Sequence, residues 1–102
     1  MNLDFEIDNI RFNARVSAII YSKDKTKVLL FKIVDRDYFM LPGGRIEIYE
    51  DSLNAVKREV KEETGFNLEF ELCSIQENFT EKNNQKIMQY CFCLLYTSDA
   101  AD

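Results

Sequence analysis

The feature of this sequence most suited to chemistry is a set of three glutamates, Glu59, Glu62 and Glu63. In an α-helix this spacing places three carboxylates on one side, where like charges oppose helix formation by about 0.2–0.5 kcal/mol per pair. A hard divalent ion such as Mg²⁺ or Mn²⁺ prefers oxygen ligands and would relieve that repulsion. The spacing therefore suggests a site for a divalent cation.

An acidic surface face is the alternative interpretation of the same three glutamates. Three nearby cations could neutralise it, namely Lys57, Arg58 and Lys61. Runs of charged residues usually mark solvated faces, so this alternative is the commoner one for an arbitrary helix. The residues alone leave both interpretations open.

Residues 51–64 are predicted to form the principal helix, which would carry the glutamates. Ser52 is a suitable N-cap, and Gly65 stands where a helix of this length should end. At about 100° per residue, three apolar side chains share one stripe that we expect to be buried. These residues are Leu53, Val56 and Val60.

The segment 44–66 contains these glutamates and reads Gly-x5-Glu-x7-Arg-Glu-Val-x-Glu-Glu-x-Gly-Phe. It resembles the complete signature box of the Nudix hydrolases, with every fixed position filled. The preceding Leu-Pro-Gly-Gly at 41–44 resembles the usual lead-in, and Phe39 stands where the family often has Trp. The resemblance implies Mg²⁺- or Mn²⁺-dependent attack of water on a nucleoside diphosphate linked to a further group.

The resemblance also implies which residues hold the metal ion. Glu59, Glu62 and Glu63 match the metal-ligand positions of the box, helped by a backbone carbonyl near Gly43 or Gly44. Hydrolysis of a diphosphate requires charge neutralisation on the phosphate and an activated water, and divalent ions serve both needs.

Two further box residues are assigned supporting roles in catalysis. Arg58 is expected to orient the carboxylates, and Glu50 to support the loop and the metal shell. The general base is left open between Glu59 and a glutamate outside the box. Glu77 and Glu81 are the candidates outside the box, and either could be a surface residue.

Three residues are candidate substrate contacts, each with an ordinary structural alternative. Arg15 could meet a phosphate from the central sheet or pair with an acid, and Arg45 could reach phosphate or be solvated. Phe39 could stack on a base, although an aromatic residue at that position is more often part of a core.

Composition narrows the class of protein. A chain of 102 residues with 46% hydrophobic residues supports one globular domain with a small core. The net charge of −5 argues against a nucleic-acid duplex as partner, although a metal ion can screen the phosphates of a small nucleotide. The absence of His excludes Ser-His-Asp and Cys-His catalysis, zinc sites built on His and the isomerase branch of the superfamily.

Location and assembly are inferred from similar negative observations. No membrane-spanning run and no signal peptide are recognisable, so we expect a cytoplasmic protein that does not bind membranes. The three cysteines suit reduced thiols. A homodimer is possible.

The expected fold is α+β, or α/β, with a mixed β-sheet of four to six strands and the loop-helix-loop of the box. The resemblance implies the Nudix fold, which is an α/β/α sandwich in full-length members. Alternation and turn residues predict strands at 1–10, 13–21, 28–34, 38–41 and 68–72 (extending toward 79), and from 87 onward. Polar turns are predicted at 23–27, 35–37 and 81–86.

The last ten residues are interpreted separately. Residues 93–102 resemble the translation of a transposase-end adapter used to build DNA sequencing libraries. We therefore expect 1–92 to be the N-terminal portion of a Nudix domain and 93–102 to be a non-native tail. Such a tail would extend the last strand through 94–96 and make few specific contacts beyond Ser98.

Three functional hypotheses follow. The first is a Nudix pyrophosphohydrolase, with ADP-ribose, nucleoside triphosphates, dinucleoside polyphosphates and sugar nucleotides all open as substrates. The second is a Nudix-fold module that binds a nucleotide without cleaving it, although such modules usually lose box carboxylates. The third is an inactive fragment of the enzyme.

Overall fold

The computed structural model describes residues 1–99 and contains seven strands and one helix in that range. The strands are β1 (Asp4–Ile7), β2 (Ile10–Ile19), β3 (Phe31–Lys32), β4 (Phe39–Met40), β5 (Gly43–Arg45), β6 (Leu68–Lys82) and β7 (Gln85–Asp99). The helix is α1 (Ser52–Thr64). No helix within residues 1–99 is long and apolar enough to span a membrane.

Five strands form one mixed sheet in the order β1-β2-β7-β6, with β5 also paired to β2. The central β2–β7 pair is parallel, whereas β1, β5 and β6 pair antiparallel with their neighbours. Strand β7 pairs with one edge of β2. The other edge of β2 pairs first with β1 and then, further along, with β5. Together with the single helix, this mixed sheet confirms the predicted fold class.

Helix α1 begins and ends at identifiable capping residues. The N-cap is Asp51, whose Oδ1 accepts the Asn54 N–H at 2.8 Å, so the prediction of Ser52 as N-cap was wrong by one residue. Gly65 ends the helix as predicted, in the left-handed conformation with φ of 82°. Asp fits the N-cap because its carboxylate also interacts favourably with the positive end of the helix dipole.

The buried face of α1 differs slightly from the predicted stripe. Val56 and Val60 are fully buried as expected, but Leu53 is exposed and Ala55 takes its place in the core. The buried stripe is shifted from Leu53 to Ala55 because the helix packs against the glycine-containing strand β5 as well as β2 and β6. This shift brings the side of the helix that carries Glu59 and Glu63 toward β5.

The two faces of the central sheet have different chemistry. Side chains alternate along a strand, and the even-numbered residues of β2 (Ala14, Val16 and Ala18) join the core beneath α1. The odd-numbered residues therefore point to the opposite face, called the second face below. There Gln89 Nε2 donates to Asn13 Oδ1 at 2.9 Å.

The cysteines lie near this second face or at its edge and are unpaired, as predicted. Cys91 Sγ lies 3.2 Å from Ser17 Oγ, and the Cys73 thiol donates to the backbone carbonyl of Cys93 at 3.1 Å. Burial raises the pKa of Cys91 and keeps this thiol protonated at neutral pH.

The segment predicted as one strand over 28–34 is mostly irregular, and this prediction was wrong in extent. Only Phe31–Lys32 forms a strand, paired with Phe39–Met40, and an isolated bridge joins Tyr21 to Val28. Strand β3 is short because, within the described residues, it pairs only with β4, which is itself two residues long. The predicted turn over 23–27 is present, with Asp24 accepting three hydrogen bonds from neighbouring residues.

Strands β6 and β7 form a long hairpin, and the predicted extension of β6 to residue 79 is confirmed, with the strand continuing to Lys82. The turn is narrower than the predicted 81–86 and consists of Asn83 and Asn84, both with positive φ. Two consecutive residues of positive φ match the twist that a two-residue hairpin requires.

Residues 93–99 continue β7 between β2 and β6, and Leu94 is fully buried. Near the strand end the Tyr96 hydroxyl donates to Asp99 Oδ1 at 2.8 Å. Residues 100–102 of the predicted tail lie outside the described residues. The proposed foreign origin of 93–102 concerns the coding DNA, and it stays a prediction.

Candidate functional site

Two of the predicted carboxylates lie directly against the glycines of β5. Glu63 Oε1 accepts the Gly43 N–H at 3.1 Å. A Cβ atom on Gly44 would lie only 2.6 Å from the carboxylate carbon of Glu59. The lack of a side chain at Gly44 therefore creates the space that the Glu59 carboxylate occupies.

Arg58 connects the helix to the loop that precedes it. Its Nη2 and Nε donate to the two oxygens of Glu50 at 2.5 and 3.0 Å, which is the bidentate geometry that guanidinium groups favour. Nη2 also donates to the backbone carbonyl of Arg45 at 3.1 Å, and Nη1 donates to Glu59 Oε1 at 3.0 Å. Arg58 thus contacts the carboxylates of Glu50 and Glu59 and joins the end of β5 to the helix, while its predicted role in catalysis stays a prediction.

The hydrogen bonds from Arg58 hold the pKa of Glu50 below its ordinary value of 4.5. The same contacts raise the pKa of Arg58, so both groups are charged at neutral pH. Because the pKa of Glu50 is depressed in the folded state, its contribution to stability is complete above the unfolded pKa. That contribution is lost as the pH falls through 4.5 toward the folded pKa.

Replacing Glu50 with glutamine should therefore lower the free energy of unfolding by about 1–3 kcal/mol at pH 7, because a charged hydrogen-bonded pair is lost. The difference from the unmodified chain should shrink as the pH falls below 4.5. Urea unfolding between pH 7 and pH 3 measures both quantities. A difference that stays constant over this range would show that the Glu50 charge does not stabilise the fold.

Glu63 shows that negative charge accumulates beside β5. Burial raises its pKa, the Gly43 N–H opposes this increase, and the charges of Glu59 and Glu62 add to it. A carboxylate in this position would be stabilised by a cation. The donors are all oxygens, which suits a hard divalent ion.

The three carboxylates do not converge on one point as predicted. No group of three acidic, Cys or His side chains in residues 1–99 has the arrangement of a metal site. The contacts of Arg58 explain this, since its Nη1 engages Glu59 at 3.0 Å and Glu62 at 3.4 Å. The guanidinium supplies the positive charge to these two carboxylates, while Glu63 turns to the backbone of β5. The donors are nevertheless all oxygens, which is the ligand type that a hard divalent ion prefers.

Among the predicted substrate contacts, Arg15 and Arg45 lie together. They are directly opposite each other in the β2–β5 register, and both belong to the second face of the sheet. Phe39 is exposed in β4, with Lys32 Nζ 6.0 Å from its ring centroid, so it does not belong to the core.

The two glutamates proposed outside the box lie apart from β5. Both are on β6, which is separated from β5 by β2 and β7, or about 14 Å at the usual strand spacing. Glu77 accepts the Tyr90 hydroxyl at 2.6 Å, and Glu81 is opposite Lys86. The structure does not bring either of them to the glycine strand.

Sequence reasoning missed Asp4 beside this site. Its carboxylate accepts from Arg11 Nε at 2.9 Å and Nη2 at 2.7 Å, and its Oδ2 lies 3.4 Å from Arg45 Nη1. The signal that could have revealed it is the dipeptide at 8–9, where both residues adopt positive φ in the β1–β2 hairpin. Recognising that turn would have placed Asp4 opposite Asn13, which is two residues from Arg15 along β2 and on the same face.

The model of the family described as NUDIX domain matches residues 11–100, a range that includes the glycine strand β5 and the glutamate-bearing helix α1. The chain belongs to this family. It is 40% identical over 63 residues to an RNA pyrophosphohydrolase of Ruthia magnifica subsp. Calyptogena magnifica, covering 62% of this chain and 35% of that protein. It is 38% identical over 73 residues to putative nudix hydrolase 1 of Caenorhabditis elegans, covering 68% of this chain and 20% of that protein.

Solved structures agree with the family assignment. The mutator MutT protein of Bacillus halodurans superimposes with a TM-score of 0.65 at 27% identity, covering 85% of this chain and 59% of that one. The chain spans about a third of the length of the Ruthia magnifica relative and a fifth of the length of the Caenorhabditis elegans relative.

Proposed function

We propose that this chain contains the catalytic centre of a divalent-metal-dependent pyrophosphohydrolase, acting on a nucleoside diphosphate linked to another group. The observation that carries the proposal is the placement of Glu59 and Glu63 against the two glycines of β5. One relative of the chain, the RNA pyrophosphohydrolase of Ruthia magnifica, supports the same type of reaction.

Glu59, Glu62, Glu63 and the carbonyl of Gly44 would hold Mg²⁺ or Mn²⁺. When bound, such an ion neutralises charge on the phosphate oxygens and favours ionisation of water. Arg58 contributes by holding Glu59 next to the glycine strand. The three carboxylates carry more negative charge than the Arg58 guanidinium beside them can neutralise. A divalent ion would supply the remaining positive charge.

Glu59 is the better-supported general base among the candidates. It lies at the glycine strand, whereas the alternatives Glu77 and Glu81 are on the far side of the sheet. Its carboxylate is also held in place by Arg58, whose Nη1 lies 3.0 Å from Glu59 Oε1.

Arg15 and Arg45 are the proposed phosphate contacts. They lie opposite each other on the second face, whereas α1 packs on the other face. A diphosphate that contacts both these arginines and the carboxylates would therefore pass around the edge of β5, where Arg45 is two residues from Gly43. Two adjacent guanidinium groups provide charge and forked hydrogen bonds for a diphosphate. Exposed Phe39 is the proposed stacking residue for the base. A cytoplasmic location and a homodimer stay predictions from the sequence.

The test is turnover of a substrate panel by the 102-residue chain with and without Mg²⁺. The panel contains ADP-ribose, a nucleoside triphosphate, diadenosine tetraphosphate, UDP-glucose and a 5′-triphosphorylated oligoribonucleotide, with products separated by ion-exchange chromatography. We expect Mg²⁺-dependent cleavage of a phosphoric anhydride bond in at least one compound. Binding without any cleavage would support the nucleotide-binding module instead, and neither binding nor cleavage would support the inactive fragment.

A further inference from the structure

We propose that Asp4 is a positioning residue, which orients the Arg45 guanidinium for contact with the phosphates of the substrate. This inference rests on the proposed function, in which Arg45 is a phosphate contact. Asp4 belongs to β1, outside the signature segment, and contacts neither Glu59 nor Glu63 in hydrogen bonds or ion pairs of the described residues.

The geometry separates the guanidinium of Arg45 into an inner and an outer part. Its Nη1 is buried, and among the described residues it has no hydrogen-bond partner. That atom lies 3.4 Å from Asp4 Oδ2, close enough for attraction between the charges. The Arg45 side chain as a whole is 31% exposed, so some of it remains accessible to a ligand.

The carboxylate that attracts Arg45 is itself held in place. Two hydrogen bonds from Arg11 fix both of its oxygens and lower its pKa, so that it is ionised at neutral pH. The backbone adjoining Asp4 is fixed to the segment that follows Arg45, since Leu3 N–H donates to the Ile46 carbonyl at 2.7 Å. Ile48 N–H likewise donates to the Met1 carbonyl at 2.8 Å.

Arg45 requires such a fixed partner because Arg15 is directly opposite it across the strand pair. Like charges at directly opposite positions repel each other, which favours rotation of one side chain away from the face. An arginine side chain also loses rotamer entropy when it binds a ligand. Asp4 opposes both effects by attracting the inner nitrogen before the ligand arrives.

The experiment compares Asp4→Asn, Arg45→Met, the double variant and Arg11→Met. Arg11→Met is the matched control, since it removes the same Asp4–Arg11 pair but leaves Asp4 next to Arg45. Binding of α,β-methylene-ADP, which cannot be cleaved between its phosphates, is measured by calorimetry. KM and kcat are measured on whichever panel substrate is turned over.

We expect Asp4→Asn to raise the Kd and the KM about fivefold, with kcat changed less than about twofold. Arg45→Met should have a similar or larger effect, and the double variant should be no worse than Arg45→Met alone. Arg11→Met frees the Asp4 carboxylate but leaves its charge beside Arg45, so its loss of affinity should be smaller than that of Asp4→Asn, at about twofold.

Three results would overturn the inference. They are an unchanged or tighter Kd for Asp4→Asn, additive losses in the double variant, or an equal loss for Arg11→Met. The binding measurement separates this inference from the proposed function. The expected pattern of Kd values without turnover would retain the role of Asp4 and reject the hydrolase. Turnover together with an unchanged Kd for Asp4→Asn would retain the hydrolase and reject the role of Asp4.

Discussion

Replacing Glu62 or Glu63 with glutamine should lower kcat by about a hundredfold or more, equivalent to about 2.7 kcal/mol of activation free energy, and leave the fold intact. Each substitution removes a charge from the group of acids proposed to hold the metal ion, while the size of the side chain is kept. Glu62 is largely exposed, and its one ion pair, to Arg58, is long at 3.4 Å, so its loss should not destabilise α1. The measurements are steady-state kinetics with Mg²⁺ and urea unfolding of each variant.

Glu71→Gln is the matched control, because Glu71 is exposed on β6, on the far side of the sheet from β5. It should retain turnover within about twofold, since exposed charges far from a site contribute little. The Kd for Mn²⁺ in the absence of nucleotide gives a second readout and should rise in the Glu62 and Glu63 variants only. Full turnover by both variants would reject the assignment of these residues.

Substitution of Gly43 by alanine should destabilise the protein by at least about 3 kcal/mol, the largest effect on stability that we expect from a single methyl group. A Cβ at this position would lie 2.0 Å from the Val16 carbonyl oxygen, which is backbone and cannot move aside. The φ of 154° adds conformational strain. Thermal and urea unfolding measure the loss.

Gly65→Ala provides the control for conformational strain alone. It has a positive φ of 82° at the C-cap, but no atom lies within 4 Å of an added Cβ. It should cost only about 1–2 kcal/mol, the usual penalty for a left-handed residue with a side chain. Equal losses for the two variants would show that close packing of β5 on β2 does not account for the glycine at 43.

The helix and its chemistry could be predicted from the sequence because their signals are local. The spacing of Glu59, Glu62 and Glu63, the glycine that ends the helix and the apolar Val56 and Val60 all lie within one segment. Local periodicity determines which side chains share a side of a helix. The error at Leu53 arose because the direction of burial depends on the strand against which the helix packs.

The arrangement around Arg45 could not be predicted in this way. The contact with Asp4 and the position opposite Arg15 depend on β1 and β5 sharing one edge of β2. Strand order and register are tertiary properties, and a pattern of alternation within one strand does not specify its neighbours. The same reasoning explains why the predicted convergence of the three carboxylates was wrong, since the contacts of Arg58 were not evident from spacing.

The parallel pairing of β2 with β7 has a consequence for the order of folding. It joins segments that are far apart in the chain, as in the contact between Asn13 and Gln89, 76 positions apart. Closing so long a loop is entropically costly, and topologies rich in non-local pairs fold slowly. A helix such as α1, by contrast, forms locally within about a microsecond.

Strand β5 is hydrogen-bonded to β2, whose other edge is completed only by β7. During synthesis, the glutamates can therefore be present on a formed helix long before the glycines have a stable strand to hold them. The segment that carries the glutamates can thus form from local contacts, whereas the glycine strand beside it is held in place only when β7, the last strand of the described residues, has paired with β2.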